Sequence, residues 1–357
     1  MVDGTRLESV QRESVRRFKS CSLRHPCDGS ELDFKRTPTL YVQTLSPLPR
    51  HEKSTTIGSA FLPYSVVIMM NKTAVLFSGQ GSQYVGMGKE IYETSEAARK
   101  VFAMCEGRRK GITSLCFEGT KDELSRTINA QPALFCAGLA EYRALEAKGV
   151  KADMIAGFSL GEITALAAAG IMSEEDAFDL VLKRAEFMEE ACKQSDGGMT
   201  AIVGLDVKTI EDEVSKYSSV FCSNYNAPLQ TVISGKKEDL AAVSDILKKK
   251  GAGVFKLNVE GAFHSPYMTE ASEKTAGYLN GIKLNTPTIP VYSNVTGLPY
   301  TPPYAGCISK QITAPVRWTE TIRNMAKDGA TEWIECGAGN VLTDLVRKIL
   351  GNMDTKK

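Results

Sequence analysis

From residue 73 onward, short apolar runs alternate with longer stretches whose apolar positions recur every three to four residues. Thr73-Ala74-Val75-Leu76-Phe77 is a continuous apolar run of the length that a strand buried on both faces requires. Met154-Ile155-Ala156-Gly157, Pro290-Val291-Tyr292-Ser293 and the stretch from Thr331 to Cys336 read the same way. Helical spacing fills the intervals. Asn129-Ala130-Gln131-Pro132 predicts a helix start with proline in the first turn, and a stop near Gly149. An Ala-rich helix is predicted after Ser159, ending at Gly170. Ser173-Glu174-Glu175-Asp176 has the form of a capping box and opens a long helix that Gly197-Gly198 breaks. A helix from Trp318 and a closing helix from Val341 to Leu350 complete this part. In the middle, Met199 to Val259 predicts strand, helix, strand, strand, helix, strand, which is the ferredoxin-like order. The pattern predicts an α/β protein. A larger subdomain occupies 71–198 and 262–357, and a small ferredoxin-like subdomain is inserted over 199–261.

Residues 1–70 show no sustained period of either kind. Up to residue 69 they carry ten Lys/Arg, seven Asp/Glu and two of the three histidines, His25 and His51. A poorly ordered extension is expected. A transit peptide is an alternative that the Arg and Ser content fits and the seven acids do not. A third reading takes Met70 as the working start. The remainder holds 33 Lys/Arg, 35 Asp/Glu and one histidine, His264.

The net charge of the 357-residue chain is +1, so no global charge argues for a nucleic-acid or membrane partner. No apolar run reaches the ~18 residues that a membrane-spanning helix needs. Nine scattered cysteines without a C-x-x-C pair predict reduced thiols in a reducing compartment, the cytoplasm, rather than a disulfide framework or a zinc site. No metal or cofactor is expected.

Gly157-Phe158-Ser159-Leu160-Gly161 is a G-x-S-x-G between a predicted strand and a predicted helix, the context a nucleophile elbow needs. Its glycines allow a close approach of backbones where a side chain would collide. The Leu160 N–H, at a helix N-terminus, would face the same space as the Ser159 hydroxyl, as half of an oxyanion hole. The loop Ser78-Gly79-Gln80-Gly81-Ser82-Gln83 leaves the first strand, and no lysine follows in Walker spacing. It reads as a loop whose amides serve an oxyanion, with Gln80 as the candidate donor. A lone histidine is ordinarily a surface or core residue. His264, however, is the sole imidazole after residue 70 and follows a subdomain boundary in a chain with a serine elbow, which makes it the candidate base. In the long helix, at ~100° per residue, Leu180, Ala177, Met188, Val181 and Ala185 fall on one arc with Arg184 at its middle. A buried guanidinium is costly unless paired. Its partner is either an internal carboxylate, which periodicity favours, or a substrate carboxylate held bidentately.

Six motifs in order carry a resemblance. They are GQGSQ at 79–83, G-x-SLGE at 157–162, the segment from Arg184 to Met188, GAFHSP at 261–266, PVRW at 315–318 and E-x-G-x-G-x-x-L at 335–342. Over Thr73 to Leu350 the chain resembles the malonyl-CoA:acyl carrier protein transacylases of fatty-acid synthesis and the acyltransferase domains of polyketide synthases. The resemblance implies an α/β-hydrolase-like large subdomain with the ferredoxin-like insertion, and a site in the cleft between them. It implies a ping-pong transfer in which Ser159 attacks malonyl-CoA, His264 takes the proton, and the amides of Leu160 and Gln80 hold the oxyanion. Arg184 would bind the malonyl carboxylate, in place of the internal salt bridge. A backbone carbonyl at Gln311 would orient His264 without an Asp partner. The phosphopantetheine thiol of acyl carrier protein would collect the acyl group. Phe263, in the malonyl-type Ala262-Phe263 pair, would crowd an α-methyl substituent. The simplest oligomeric state is a monomer. The chain departs from the family at Ser78 and Ala338, where proline is usual, and at Phe158, where histidine is usual and a hydrogen-bonding group is therefore lost beside the pocket. Two alternatives stand beside this reading: a serine hydrolase or thioesterase with the same elbow, and a catalytically silent docking protein for acyl carrier protein.

Overall fold

The computed structural model describes residues 71–259 and 261–351, so the predicted extension over 1–70 lies outside the described residues. The chain opens with β1 (Lys72–Phe77), α1 (Lys89–Thr94), α2 (Glu96–Arg108), α3 (Ile112–Glu118), α4 (Lys121–Ser125) and α5 (Thr127–Ala147). It continues with β2 (Met154–Gly157), α6 (Leu160–Ala168), α7 (Glu174–Lys193), β3 (Gly197–Val203), α8 (Val207–Val214), β4 (Val220–Ala227), β5 (Gln230–Lys236), α9 (Lys237–Lys249) and β6 (Gly253–Lys256). After a 3-10 turn at Pro266–Met268 come α10 (Thr269–Leu279), β7 (Val291–Tyr292), α11 (Tyr304–Lys310), α12 (Trp318–Lys327), β8 (Ala330–Cys336) and α13 (Val341–Leu350).

The first sheet is parallel, in the order β7-β2-β1-β8. Alternate residues of β1 feed two different cores, as the period of two in a strand requires. Val75 and Phe77 pack with α5, α6 and α7, while Ala74 and Leu76 pack with Trp318 and Ile322 of α12 and Leu345 of α13. Burial on both faces is why β1 reads as an unbroken apolar run. Phe77 is in register with Gly157 on one side and Cys336 on the other. The loops that leave β1, β2 and β8 therefore gather at one sheet edge, where α/β folds place their ligands.

The second sheet is antiparallel, in the order β4-β5-β3-β6, with α8 and α9 on one face. Its β3-α8-β4-β5-α9-β6 sequence, with the first and third strands central, is the ferredoxin-like topology. Ile202 and Ile233 point into the helix-covered core, while Met199 and Val232 turn the other way and pack with Met188 of α7. β3 begins at Gly197, slightly ahead of the predicted boundary at 199, and β6 stops at Lys256. The sheets are joined by main chain: Val316 N–H donates to the Ser223 carbonyl at 2.9 Å, and Tyr225 N–H donates to the Val316 carbonyl at 2.9 Å.

Two local expectations change. α5 begins at Thr127, so Pro132 lies inside the helix rather than in its first turn. A proline there strips the Ile128 carbonyl of its helical partner. Arg109 Nη1 donates to that carbonyl at 2.8 Å and replaces the missing bond. At the start of α7, Ser173 Oγ accepts the Asp176 N–H at 3.0 Å, but the Asp176 carboxylate returns to the Ser173 hydroxyl rather than to a backbone N–H. The capping box is thus only half made, because Asp is one methylene too short to close it.

Candidate active site

Ser159 sits between β2 and α6 with φ 51° and ψ −105°, a strained conformation for a residue with a side chain. The neighbouring glycines permit the turn. A Cβ on Gly157 would lie 1.9 Å from the Gly161 backbone, and one on Gly161 would lie 2.2 Å from the Phe77 carbonyl oxygen. The strained peptide is clamped on both sides. Its N–H donates to Asn294 Oδ1 at 2.7 Å, and its carbonyl accepts from Gln311 Nε2 at 2.6 Å. Asn294 is itself tied to the Gly157 carbonyl through Nδ2, at 2.7 Å.

Ser159 Oγ lies 2.8 Å from His264 Nε2. The other ring nitrogen, Nδ1, faces the carbonyl oxygens of Gln311 at 3.0 Å and Ala314 at 3.1 Å. Carbonyls only accept, so Nδ1 carries the proton and Nε2 offers its lone pair to the Ser159 hydroxyl. His264 is buried, and its own φ is 56°. Burial, reinforced by the nearby Arg184 charge, pushes its imidazole down to about 4. No carboxylate stands behind this histidine among the described residues; two backbone carbonyls do the orienting.

Arg184 is 1% exposed. Nη1 donates to Gln131 Oε1 at 2.6 Å; Nη2 donates to Gln311 Oε1 at 3.0 Å and to Ser159 Oγ at 3.2 Å. Nε has no partner among the described residues, and no described carboxylate lies within ion-pair distance of the guanidinium. The internal salt bridge that helical periodicity favoured is therefore absent among the described residues. Burial lowers the group to about 10, so it remains a cation at neutral pH. A buried cation held by neutral oxygens beside a serine hydroxyl has an affinity for an anion to spare.

The Gln80 loop and the elbow leave paired strands at the same level. Gly79 is pressed against the elbow, where a Cβ would come 2.3 Å from the Phe158 carbonyl oxygen. The Gln80 side chain turns away and donates to Thr127 Oγ1 at 3.1 Å. The backbone amides of Gln80 and Leu160 carry no hydrogen bond from the described residues. Phe263 packs with Met188, Cys192 and Ile312, one turn of α7 beyond Arg184. Phe158 lies edge-on to Trp318, with ring centroids 5.3 Å apart. A cleft of about 490 Å³ opens beside His264, between Tyr217 of the α8–β4 turn, Phe221 and Tyr225 of β4, and Thr313 and Pro315.

The acyl transferase domain family matches residues 75–356 of this chain. A malonyl CoA-acyl carrier protein transacylase of Bacillus subtilis (strain 168) is 40% identical over 294 residues, 80% of this chain and 93% of that protein. The chain belongs to the acyl transferase family. Among solved structures, the malonyl CoA-acyl carrier protein transacylase of Clostridium perfringens is 35% identical with a TM-score of 0.75, covering 78% of this chain and 90% of that one. A malonyl-transacylase solved in complex with its type II polyketide acyl-carrier protein is 33% identical with a TM-score of 0.76, covering 78% and 93%. The mixed fold, a parallel sheet beside a separate antiparallel one, is that of these transacylases.

Within this acyl transferase, the structure brings Ser159, His264, Arg184 and Gln311 together. It also brings in Gln131, Asn294, Glu162 and the Gln311 side chain, for which sequence reasoning named no role. Glu162 did leave a signal, as an acid on an otherwise apolar helix, LGEITALAA. Among the described residues, no group of three or more His, Cys, Asp or Glu side chains is placed to hold a metal, and no helix is long and apolar enough to cross a membrane.

Proposed function

We propose that the chain moves a malonyl group from malonyl-CoA to the phosphopantetheine thiol of an acyl carrier protein, through an acyl-enzyme on Ser159. Ser159 Oγ attacks the thioester carbonyl carbon while its proton passes to His264 Nε2. The oxyanion that forms is received by the amides of Gln80 and Leu160. Collapse breaks the carbon–sulfur bond, and the CoA sulfur leaves with the proton held by His264. The carrier thiol then enters through the cleft beside His264, gives its proton to the imidazole and attacks the acyl carbon; the acyl–oxygen bond breaks, and Ser159 Oγ takes the proton back from His264. Arg184 binds the malonyl carboxylate, and the Phe263 side chain limits the bulk tolerated near it.

One observation carries this reading: a buried guanidinium, with no described carboxylate in direct ion-pair contact, that already donates to the Ser159 hydroxyl. An acyl group without a second carboxylate would leave that charge desolvated and unpaired. Hydrolysis by the same elbow has no comparable support, since a simple hydrolase has no use for a buried cation at the acyl pocket. The product is a building block for fatty-acid or polyketide synthesis. We place the enzyme in the cytoplasm as a monomer, in keeping with the free cysteines of the described residues.

Mass spectrometry after exposure to malonyl-CoA tests the proposal. A malonyl adduct is expected on Ser159, absent in Ser159→Ala and discharged by acyl carrier protein bearing its thiol. An adduct discharged equally fast by water alone would make the chain a thioesterase, and an enzyme that never acylates would leave only a docking role.

A further inference from the structure

Glu162 lies on α6 with its carboxylate wholly buried, and the transfer described above does not use it. A buried carboxylate is costly unless hydrogen bonds satisfy it. Glu162 accepts from the Tyr300 hydroxyl, from Gln311 Nε2 at 3.0 Å and from the Asn294 N–H at 3.2 Å. Because a carboxylate only accepts, it turns the Gln311 amide nitrogen toward itself. The amide oxygen is then obliged to face the other way, and it meets Arg184 Nη2 at 3.0 Å. The same nitrogen also holds the Ser159 carbonyl, while Asn294, anchored on the same acid, holds the Ser159 N–H. A negative charge thus stands one amide away from the guanidinium. It is near enough to offset part of the cation's burial and is kept off the nitrogens that an incoming carboxylate needs. Arg184 Nε, buried and without a partner among the described residues, is left for that carboxylate.

We propose that Glu162 is a positioning residue for the substrate's carboxylate: acting through the Gln311 amide, it balances and aims Arg184 without occupying the place of the acyl group's own anion. This rests on the malonyl-transfer reading and adds to it a determinant of acyl selectivity. A counter-ion touching the guanidinium directly would compete with substrate, and none at all would leave the cation to seek water or another acid.

The arrangement has a consequence in pH. Burial raises the Glu162 carboxyl to about 7, although Tyr300, Gln311, Asn294 and Arg184 all pull it down. The titratable groups that face it are Arg184 from α7, Tyr300 from the segment before α11, and Cys307 from α11. The Tyr300 hydroxyl and the Cys307 thiol are both pushed up from their ordinary values, and Arg184 stays charged to about 10. None of these changes state near 7, and His264, at about 4, does not either. As pH falls through about 7, Glu162 takes a proton, gains a donor and loses its countercharge, so malonyl selectivity should fall over a range in which the His264 imidazole stays neutral.

The test compares wild type, Glu162→Gln and Glu162→Asp with malonyl-CoA and acetyl-CoA, each against an acyl carrier protein, on both sides of pH 7. Glu162→Gln should raise KM for malonyl-CoA on the order of tenfold, with acetyl transfer falling far less, as loss of the group that orients a binding side chain does elsewhere. Glu162→Asp should recover part of that loss. In wild type the malonyl-to-acetyl ratio should drop on acidification through pH 7, and in Glu162→Gln it should be flat. Equal losses for both acyl groups, or a wild-type ratio that ignores pH, would overturn the assignment. The wild-type pH series decides the matter even where the variant does not fold. Wild type that transfers no malonyl at all would instead defeat the transferase reading.

Discussion

At the scale of single residues, the proposed transfer asks His264 to remain a free base while surrounded by protein and next to a cation. Burial first, and the Arg184 charge second, disfavour its protonated form and bring it from an ordinary 6.5 down to about 4. The neutral imidazole is the form that can accept the Ser159 proton, so it stays competent well into the acid range. Labelling of Ser159 by a fluorophosphonate, which needs no acyl carboxylate, should hold level from neutral pH downward and reach half its rate near pH 4. A midpoint near 6.5 would mean that the ring is solvated. The same shift acts on stability with a definite sign. Below 6.5 the unfolded chain takes a proton that the folded chain refuses, so this group weakens the fold progressively as pH falls from 6.5 to about 4 and adds no further slope below that.

At the scale of elements, the elbow is a packing problem solved by absent side chains. A Cβ on Gly161 would meet backbone atoms of β1, the Phe77 carbonyl oxygen at 2.2 Å and its carbon at 2.8 Å, and neither can swing aside. Gly161→Ala should therefore cost more than ~3 kcal/mol, the upper end of what overpacking a core usually costs, read by urea unfolding. Gly107 in α2 makes the contrast. A Cβ there meets nothing within 4 Å, so Gly107→Ala should stabilise by about 0.5–1 kcal/mol. The strand before and helix after this turn were legible because β2 is buried on both faces and α6 is almost uniformly apolar. Ser159 and His264, which the fold brings within 2.8 Å of each other, stood out too, one from a spacing with a steric cause and the other as the sole imidazole after residue 70. The polar clamp was not. Asn294, Tyr300 and the Gln311 side chain come from irregular segments more than a hundred residues from Ser159, and no periodicity marks a side chain that works by meeting another across the fold. Pro132 shows the same limit. Its place inside α5 depends on Arg109 reaching the Ile128 carbonyl from outside the helix.

At the scale of the whole molecule, Ser159 and the Arg184 guanidinium belong to the first sheet and its helices, while His264 lies in the segment that leaves the second sheet. Their alignment depends on how the two sheets are held. The segment from Gln311 to Trp318 makes that connection twice over. Its Gln311 and Ala314 carbonyls hold the imidazole, and two residues further on Val316 exchanges main-chain hydrogen bonds with Ser223 and Tyr225 at the β4 edge. The Val316 side chain is also fully buried, in the cluster that contains Ala227 of β4 and Trp318. Val316→Ala removes side-chain packing and keeps both bridging bonds. Val316→Pro also removes packing, and in addition deletes the N–H that reaches the Ser223 carbonyl, leaving a buried acceptor unpaired at a cost of about 1–3 kcal/mol. If the bridge sets the imidazole, the proline variant should slow acylation of Ser159 well beyond the alanine variant. Its His264 resonance, followed by NMR, should titrate above about 4 as water reaches the ring. Two variants with equal acylation rates and an unmoved His264 titration would show instead that the large sheet holds the histidine without help from the small one.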